Sequence, residues 1–492
     1  MNSIRRPLAA LALVLALVLT AIGAPAHPAL AQDDPPGCRG LSADDCALLQ
    51  SATLATQNVV SLNIPAWAVT LYMAAEQETI FVQAGGTAAY ALPEELVLLR
   101  DTFMSVETVT PNTIIAFLGQ IDANRIQTML DELLLSVTVD PLIVESPEAT
   151  VTASGALVYK DSTIYLNLPA PSGENIWFGQ PITLTFADLD EIDAALEELR
   201  ASFDAPEIDE AFDEMGASLL MQQQIAALAE RHTTTTRLSD EMLDGQIMAA
   251  VFTSTFNVKD LLADPDLAPA LIAAFDELAA QDPEIEPLDM NEAQLTLMLT
   301  AFNLLVSEGT ITNSQWVGLD DGYVLRSTVD ITFNIDPSLL AESTTDPVDP
   351  IVFDLSAAIA FDDFDALTPD QVTAPDTYYP GDLLGDFLVG TPDMIEQVVA
   401  VGETVQNEIP FDGDTHIYAL PLEAGQTVVL SLESDGYPYL SVYNPDAFRV
   451  EMHSIFSGEP LVFTASADGV HFVTVEGFSE LTYTLTITEA EG

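Results

Sequence analysis

Residues 323–335 read YVLRSTVDITFNI, and their side chains alternate between apolar and polar along the stretch. One face of the extended chain carries Tyr323, Leu325, Val329, Ile331, Phe333 and Ile335. The opposite face carries Arg326, Thr328, Asp330, Thr332 and Asn334. Alternation with a period of two predicts a β-strand with one covered face and one face in water. Strands of this kind are typical of antiparallel sheets.

Neighbouring segments extend this sheet and supply helices to cover it. Residues 149–159 and 351–361 alternate in the same way. Apolar residues recur at helical spacing in 189–203, 267–278 and 291–305, and Gly309 is expected to stop the last of these helices. The predicted fold class is therefore α+β, with a curved antiparallel sheet, or half-barrel, packed on helices.

A short helix is expected near the beginning of the mature chain. Ser42 stands three residues before Asp45, which is an acidic variant of a capping box for a helix over residues 41–56. Cys38 and Cys46 flank its start, and an oxidising compartment favours a disulfide between them. We interpret this pair as a structural link, because a metal or redox role would need more ligands or a C-x-x-C spacing.

The N-terminus predicts export. Arg5 and Arg6 precede an uncharged apolar run, and Ala29-Leu30-Ala31 follows it, as in a secretory signal peptide cleaved after Ala31. No cysteine stands at that cleavage point, so lipid anchoring is not expected. No later segment is long and apolar enough to span a membrane, and the mature protein is expected to be secreted or held in the cell envelope.

The remaining chain divides by composition. Residues 366–400 are rich in proline, glycine and acids, which indicates a linker or an edge segment. Residues 401–492 hold short alternating strands separated by Gly and Asp turns, which predicts a β-sandwich. The expected division is a signal peptide over 1–31, a disulfide-linked helix over 32–57, an α+β domain over 58–365, the linker, and the sandwich.

Charge limits the partners. The chain has 12 Lys and Arg against 77 Asp and Glu, a net charge of −65. Nucleic acid is excluded, because its binding depends on basic residues that neutralise phosphates. We interpret the acidic residues mainly as groups that keep the protein solvated. Calcium is the alternative ligand, because hard cations prefer carboxylate oxygens, although the EF-hand spacing is absent. No other cofactor is expected.

No catalytic motif stands out. Lys160 and Lys259 lie outside any Gly-rich phosphate loop, and no H-E-x-x-H or G-x-S-x-G occurs. Paired carboxylates for glycoside hydrolysis stay open, since that chemistry depends on separation in space. The sequence therefore favours a protein that is not an enzyme.

The C-terminal segment resembles the bacterial pre-peptidase C-terminal domain, a jelly-roll-like sandwich attached to many secreted proteins. The resemblance is carried, in order, by Gly402, GDTHIY at 413–418, AGQTV at 424–428, YLSVYNPD at 439–446 and GVHFVTV at 469–475. It implies an accessory or adhesive module, sometimes associated with calcium, and a cell-surface or matrix partner.

The segment from about 50 to 365 resembles the lipoprotein-carrier class, in which a curved antiparallel sheet wraps helices and holds a lipid. The resemblance is one of pattern and order: ALVY at 156–159, TIYL at 163–166 with Trp177, GQI at 245–247, and Trp316 before DDGY at 320–323. It implies that a lipid or other hydrophobic small molecule is the ligand, without the anchoring cysteine of the lipoprotein members.

A half-open apolar sheet face must be filled by helices or must leave a cavity for an apolar guest. The candidate lining residues are Phe252, Phe256, Met298 and Phe302, although residues of these types at this spacing more often form an ordinary core. The function expected from the sequence is hydrophobic ligand binding by a secreted, non-catalytic protein. The alternatives are a structural or adhesive envelope protein without a ligand, and a hydrolase accessory protein.

Overall fold

The computed structural model describes residues 37–75, 78–104, 123–147, 150–182, 194, 227–273, 291–336, 338, 350–380, 387–410, 414–454, 460–477 and 479–490. The expected signal peptide, its cleavage point and, apart from residue 194, the expected helix over 189–203 lie outside the described residues. The described chain is mostly β-structure. The strands expected at 149–159, 323–335 and 351–361 are confirmed.

The chain forms two compact units that are interleaved in sequence. The first unit comprises Met1–Leu133, Ile143–Thr150 and Leu184–Thr368, and the second comprises Leu134–Leu142, Val151–Thr183 and Pro369–Gly492. This division differs from the expected one. Residues expected in the α+β domain contribute to both units, and most of the expected linker belongs to the second.

The first unit is built on an antiparallel sheet. With strands numbered in chain order, its hydrogen-bonding order is β2 (Glu78–Ala91), β1 (Ser61–Ala75), β12 (Ile351–Asp362), β11 (Val324–Ile335), β10 (Val306–Gly318), β9 (Ile247–Asn257) and β7 (Thr233–Arg237). The short strand β8 (Glu241–Leu243) pairs with the start of β9. The register of each ladder fixes which side chains share a face of the sheet.

Helices of the first unit are α1 (Ala43–Gln57), α2 (Glu94–Met104), α3 (Ala123–Glu132), α4 (Val258–Leu262) and α5 (Glu292–Leu305). Residues 227–231 and 267–273 are also helical. Ser42 caps α1, where its Oγ accepts a hydrogen bond from the Asp45 amide at 3.2 Å. Asn291 and Gln294 form a reciprocal capping box at the start of α5.

The expected stop of α5 at Gly309 is wrong. The helix ends at Leu305 and runs directly into β10, so that Gly309 lies within the strand, opposite Phe333. A Cβ at Gly309 would lie 2.9 Å from the Cβ of Val258 in α4. The glycine therefore permits close packing of strand on helix and does not terminate the helix.

Two buried clusters cover opposite ends of one face of this sheet, which we call the inner face. The α5 cluster includes Phe256, Ile311, Ile331 and Phe333 from the strands with Leu295 and Leu299 from α5. The α1 cluster includes Ala250, Phe252, Val317 and Val324 from the strands with Leu49 and Ala52 from α1. Ile311 and Val317 have the same parity on β10, so both clusters lie on the same face.

The second unit contains two β-regions. One is the meander β4 (Thr150–Lys160), β5 (Thr163–Pro169) and β6 (Asn175–Pro181), with β13 (Tyr379–Pro380) pairing parallel to β6. Most of β3 (Leu134–Glu145) also belongs to this unit. The sheet that includes β6 is therefore mixed, because β13, from the expected linker, pairs parallel with it.

The other region is the C-terminal β-sandwich. Its first sheet has the order β14 (Ile395–Val398), β16 (Thr415–Leu422), β21 (Gly469–Glu476), β18 (Tyr439–Tyr443) and β19 (Arg449–Ser454). Its second sheet has the order β15 (Thr404–Ile409), β22 (Leu481–Glu489), β17 (Thr427–Ser434) and β20 (Leu461–Thr464). Side chains of both sheets, among them Leu420, Leu430 and Leu440, form one core in which these three are 0% exposed.

The segment 366–400 is not a plain linker in the structure. Val372 is buried, β13 lies at its centre, and β14 pairs parallel with β16 of the sandwich. Phe387 and Leu388 belong to a buried cluster with Phe178 and Phe472. The abundant proline and glycine therefore accompany an ordered but irregular path, because these residues restrict or relax the backbone without excluding burial.

Candidate functional site

The four aromatic and methionine residues expected to line a ligand cavity fall into two places. Phe256 is buried in the α5 cluster, and Met298 and Phe302 pack against it, with the Phe302 and Phe333 rings 6.3 Å apart. Phe252 is buried in the α1 cluster. The structure thus brings three of them together and separates the fourth. Their role as ligand contacts stays a prediction.

Between the two clusters the inner face becomes polar. Asn313 and Gln315 occupy the inner positions of β10 between Ile311 and Val317. On this face Asn313 pairs with Ser254 of β9, and Gln315 pairs with Ser327 of β11, so each has one polar ladder partner. We call this group the polar belt: Thr235, Ser254, Asn313, Gln315 and Ser327.

Hydrogen bonds confirm that the belt residues share a face. The Oγ1 of Thr235 and the Oγ of Ser254 lie 2.8 Å apart, and the Ser327 hydroxyl donates to the Asn313 Oδ1 at 3.5 Å. No described residue hydrogen-bonds the Gln315 amide or the Asn313 Nδ2. The belt therefore keeps unused donors and acceptors on a face that is otherwise mostly apolar.

Beyond the belt, the same row of the sheet continues as an apolar strip. Val329 pairs with Asn313 on one side and with Ala357 on the other. Ala357 pairs with Val69, and Val69 with Ala84. These four residues, Val329, Ala357, Val69 and Ala84, define the apolar strip, and all four are half-buried. Ile359 and Trp67 continue it in the next row.

The disulfide loop borders the belt. Cys38 and Cys46 are bonded and buried, as predicted. The carbonyl of Arg39 accepts a hydrogen bond from the Thr235 amide at 2.8 Å. Gly40 has a φ of +97°, and a Cβ there would lie 2.7 Å from the Thr235 carbonyl oxygen, so only glycine fits. The loop is therefore fastened to the strand that carries the first belt residue.

Arg237 stands at the edge of the belt, but its charge is neutralised. Its guanidinium contacts Asp45 at 2.5 Å and Asp240 at 2.7 Å, and it lies over the Phe252 ring. Hydrogen bonds from Ser42 and Arg237 hold the pKa of Asp45 below its usual range. The inner positions of β9 to β12 and of β1 carry no charged residue, and those of β2 carry only Glu78, which pairs with Ala75 at the start of that strand.

The acid and base pairs elsewhere in the first unit have structural roles. His232 contacts Asp264 at 2.7 Å, and Arg231 contacts the same carboxylate at 3.4 Å. Burial pushes the pKa of Asp264 upward, but the Asp266 amide, His232 and Arg231 outweigh it, so the pKa lies below the usual value. Because Asp264 also caps the helical turn at Asp266, the cluster fixes the start of helix 267–273.

The two lysines also bind backbone. The Lys160 ammonium donates to the carbonyls of Pro369 and Val372, both at 2.8 Å, and Lys259 donates to the Val306 carbonyl at 2.9 Å. Each lysine therefore hydrogen-bonds backbone carbonyl groups.

The sandwich contains a series of hydrogen bonds between polar side chains. His416 Nδ1 lies 2.7 Å from the Tyr483 hydroxyl, which lies 2.5 Å from that of Tyr418, and Asn407 donates to Tyr418 at 3.2 Å. Burial, and then the hydrogen bond to Tyr418, raise the pKa of Tyr483. This series links β15, β16 and β22 and so connects both sheets through hydrogen bonds as well as apolar contact.

His471 is a second polar group in the sandwich core. It is 0% exposed, its ring packs against Phe463, and no described residue hydrogen-bonds its Nε2. Burial lowers the pKa of this imidazole. Burial therefore favours the neutral form of this imidazole.

Two surface clefts lie away from the belt. One of about 670 Å³ on the sandwich is lined by Pro421, Glu423, Gln426 and Glu489 among others. The other, of about 360 Å³, lies on the outer face of the first unit beside Tyr72, Phe81 and Thr150. Neither is lined by the residues expected from the sequence.

The described part of the chain has neither a candidate metal site nor a helix suited to crossing a membrane. There, no three His, Cys, Asp or Glu side chains come close enough to form a metal site. Within the same residues, no helix combines the length and apolar character that crossing a membrane requires.

No protein-family model matches the chain. No curated protein matches it. The pre-peptidase C-terminal domain of a collagenase from Bacillus anthracis is 12% identical, with a TM-score of 0.18, and covers 19% of this chain and 96% of that domain.

Two further solved structures are PliG proteins, periplasmic inhibitors of g-type lysozyme. The one from Aeromonas hydrophila is 16% identical and the one from Salmonella Typhimurium 15% identical. Each has a TM-score of 0.15 and covers 19% of this chain and 98% of its own. Each of these three similarities covers about a fifth of the chain.

Proposed function

We propose that this chain is an extracytoplasmic, non-catalytic binding protein that holds a lipid or other hydrophobic molecule against the apolar strip. One observation carries the proposal. Helices cover the inner face at both ends of β10, and Val329 packs against the α5 cluster, whereas the strip residues beyond it, Ala357, Val69 and Ala84, are only half-buried. Within the described part of the chain, these half-buried aliphatic side chains therefore leave apolar surface uncovered.

The hydrophobic effect supplies the affinity. Removing apolar surface from water yields about 25 cal/mol per Å², so each 100 Å² covered by a guest contributes about 2.5 kcal/mol. A flexible acyl chain loses conformational freedom on binding, which reduces the net gain. A guest that covers several hundred Å² along the strip would therefore bind with useful affinity.

The lipoprotein-carrier resemblance belongs to this proposal. From this resemblance the proposal takes a curved, half-barrel sheet that encloses the ligand. It also takes from it an accessory role in the cell envelope. The Cys38–Cys46 disulfide supports the compartment, because disulfides persist in oxidising environments outside the cytoplasm. The charge of the chain supports a partner that is neither nucleic acid nor an anionic surface.

The C-terminal sandwich has a separate role in the proposal, as an accessory or adhesive module toward a cell-surface or matrix partner. Its support is the resemblance to pre-peptidase C-terminal domains. Calcium stays a candidate ligand here, tested by a rise in melting temperature at millimolar calcium. An unchanged melting temperature would remove calcium from the proposal.

Uptake of a fluorescent fatty-acyl probe, followed by native mass spectrometry, tests the ligand-binding role. Val69→Gln places an amide on the strip, whereas Thr70→Gln makes the same change on the adjacent outer-face position. We expect binding to the wild type and to Thr70→Gln, and a loss of about tenfold or more in Val69→Gln. Ligand-free spectra and no probe uptake by any of the three proteins would favour the structural or adhesive alternative.

A further inference from the structure

We infer that the ligand is an uncharged amphiphile whose polar head hydrogen-bonds the belt while one extended acyl chain lies along the apolar strip. This inference rests on the proposed function and adds the chemical class of the ligand. Its basis is the juxtaposition of polar and apolar side chains in one row of the sheet.

The belt and strip form one continuous row. Across neighbouring strands the inner positions are Ser254, Asn313, Val329, Ala357, Val69 and Ala84 in that order. Adjacent strands lie about 4.8 Å apart, so Asn313 and Ala84 are roughly 19 Å apart across four strand spacings. A long acyl chain spans this distance when extended. One molecule can therefore reach both ends of the row.

The belt has hydrogen-bonding groups to offer. Gln315 and the Asn313 Nδ2 have no partner among the described residues, and the Ser327 to Asn313 contact is long, at 3.5 Å. A purely hydrocarbon guest that covered these groups would remove their water without replacing its hydrogen bonds, which is unfavourable. A head group with hydroxyl, ester or amide functions satisfies them.

Charge argues that the head is neutral. The inner positions of the central strands carry no charged side chain. Arg237, at the belt's edge, is already paired with two carboxylates, Asp45 and Asp240. An anionic head would meet those carboxylates in a chain with a net charge of −65. Glu78, at an inner position of β2, lies six residues along the strand from Ala84 and away from the belt, so it is not placed to receive a cationic head there.

Three probes with the same 18-carbon chain separate head-group recognition from simple hydrophobic binding. Monooleoylglycerol has a neutral hydroxylated head, oleate is an anion, and methyl oleate accepts hydrogen bonds without donating any. We expect wild-type protein to bind monooleoylglycerol about tenfold or more tightly than oleate and more tightly than methyl oleate.

Variants at the belt locate the recognition. Asn313→Leu and Gln315→Leu remove an amide at nearly constant size, and Thr312→Val makes a similar change on the outer face of the same strand. We expect either belt variant to lose about tenfold in affinity for monooleoylglycerol while keeping its affinity for methyl oleate. Thr312→Val should leave both unchanged.

The outcomes separate this inference from the function on which it rests. Equal binding of all three probes by the wild type, or tightest binding of oleate, overturns the neutral amphiphile and leaves hydrophobic binding intact. This comparison needs no variant to fold. Unchanged head-group preference in both belt variants also overturns it. Failure of every probe to bind the wild type removes the proposed function and the inference together.

Discussion

The inner faces of the sandwich and of the first unit's sheet arise from the same alternating pattern, yet they differ in closure. In the sandwich, Leu420, Leu430 and Leu440 are 0% exposed, because a second sheet covers the first. In the first unit, helices cover the face at both ends of β10, and the strip residues beyond Val329 stay half-buried. A period of two therefore predicts which side chains point inward, but not what they meet there.

The largest expected difference between the two faces is the cost of the same truncation. Leu430→Ala in the sandwich leaves a cavity in a closed core and should lower the free energy of unfolding by about 3–4 kcal/mol. Leu71→Ala, on the half-buried inner face of β1, should cost less than about 1.5 kcal/mol. Denaturant unfolding measures both. Equal losses would break the comparison.

The next effect concerns the covering of the open face at its α1 end. Replacing both Cys38 and Cys46 by serine removes the disulfide that closes an eight-residue separation. The loss of the link should lower stability by about 2.5 kcal/mol, because the unfolded chain gains freedom. Hydrogen exchange should then accelerate in α1. Ser51→Ala, at an exposed position of the same helix, is the control. Unchanged exchange in the double variant would show that packing alone holds α1.

The smallest effect concerns the closed core itself. The folded pKa of His471 is lowered, so below the ordinary value of about 6.5 the unfolded chain binds a proton that the folded chain does not. The contribution of His471 to the free energy of unfolding is therefore complete above that pH, and it decreases as the pH falls toward the folded pKa. We expect the wild type to lose about 1 kcal/mol more than His471→Leu between pH 7 and 5. Both proteins keep the same carboxylates, so parallel profiles would contradict a buried neutral imidazole.

Much of the fold follows from the sequence. The strands at 149–159, 323–335 and 351–361 and the caps at Ser42 and Asn291 are local patterns, and local patterns determine local structure. The prediction for Gly309 was wrong because a glycine after a helical pattern normally indicates the end of the helix. The close approach of Val258, which explains the glycine, cannot be read from the sequence. The ordered path of 366–400 depends on partners far away in sequence, such as β6 and β16.

The polar belt was missed, although the sequence contains a signal for it. Ser327 stands at an apolar parity in 323–335, and Asn313 and Gln315 interrupt β10 in the same way. Each interruption is ordinary in one strand. Only the register, which pairs Gln315 with Ser327 and Asn313 with Ser254, shows that they meet in one place. The four candidate lining residues, three phenylalanines and Met298, were by contrast chosen for type, and the structure separates Phe252 from the other three.

The central claim is that the inner face of the first unit is unfilled at the apolar strip, and the stability of Ala357→Phe tests it most directly. Ala250→Phe in the α1 cluster, where alanine is 0% exposed, is the matched control. In a filled region the larger ring costs about 1–3 kcal/mol through overpacking, and we expect that loss for Ala250→Phe. For Ala357→Phe we expect a free energy of unfolding within about 0.5 kcal/mol of the wild type, together with loss of ligand uptake. A loss of about 2 kcal/mol or more at residue 357 would contradict an open strip.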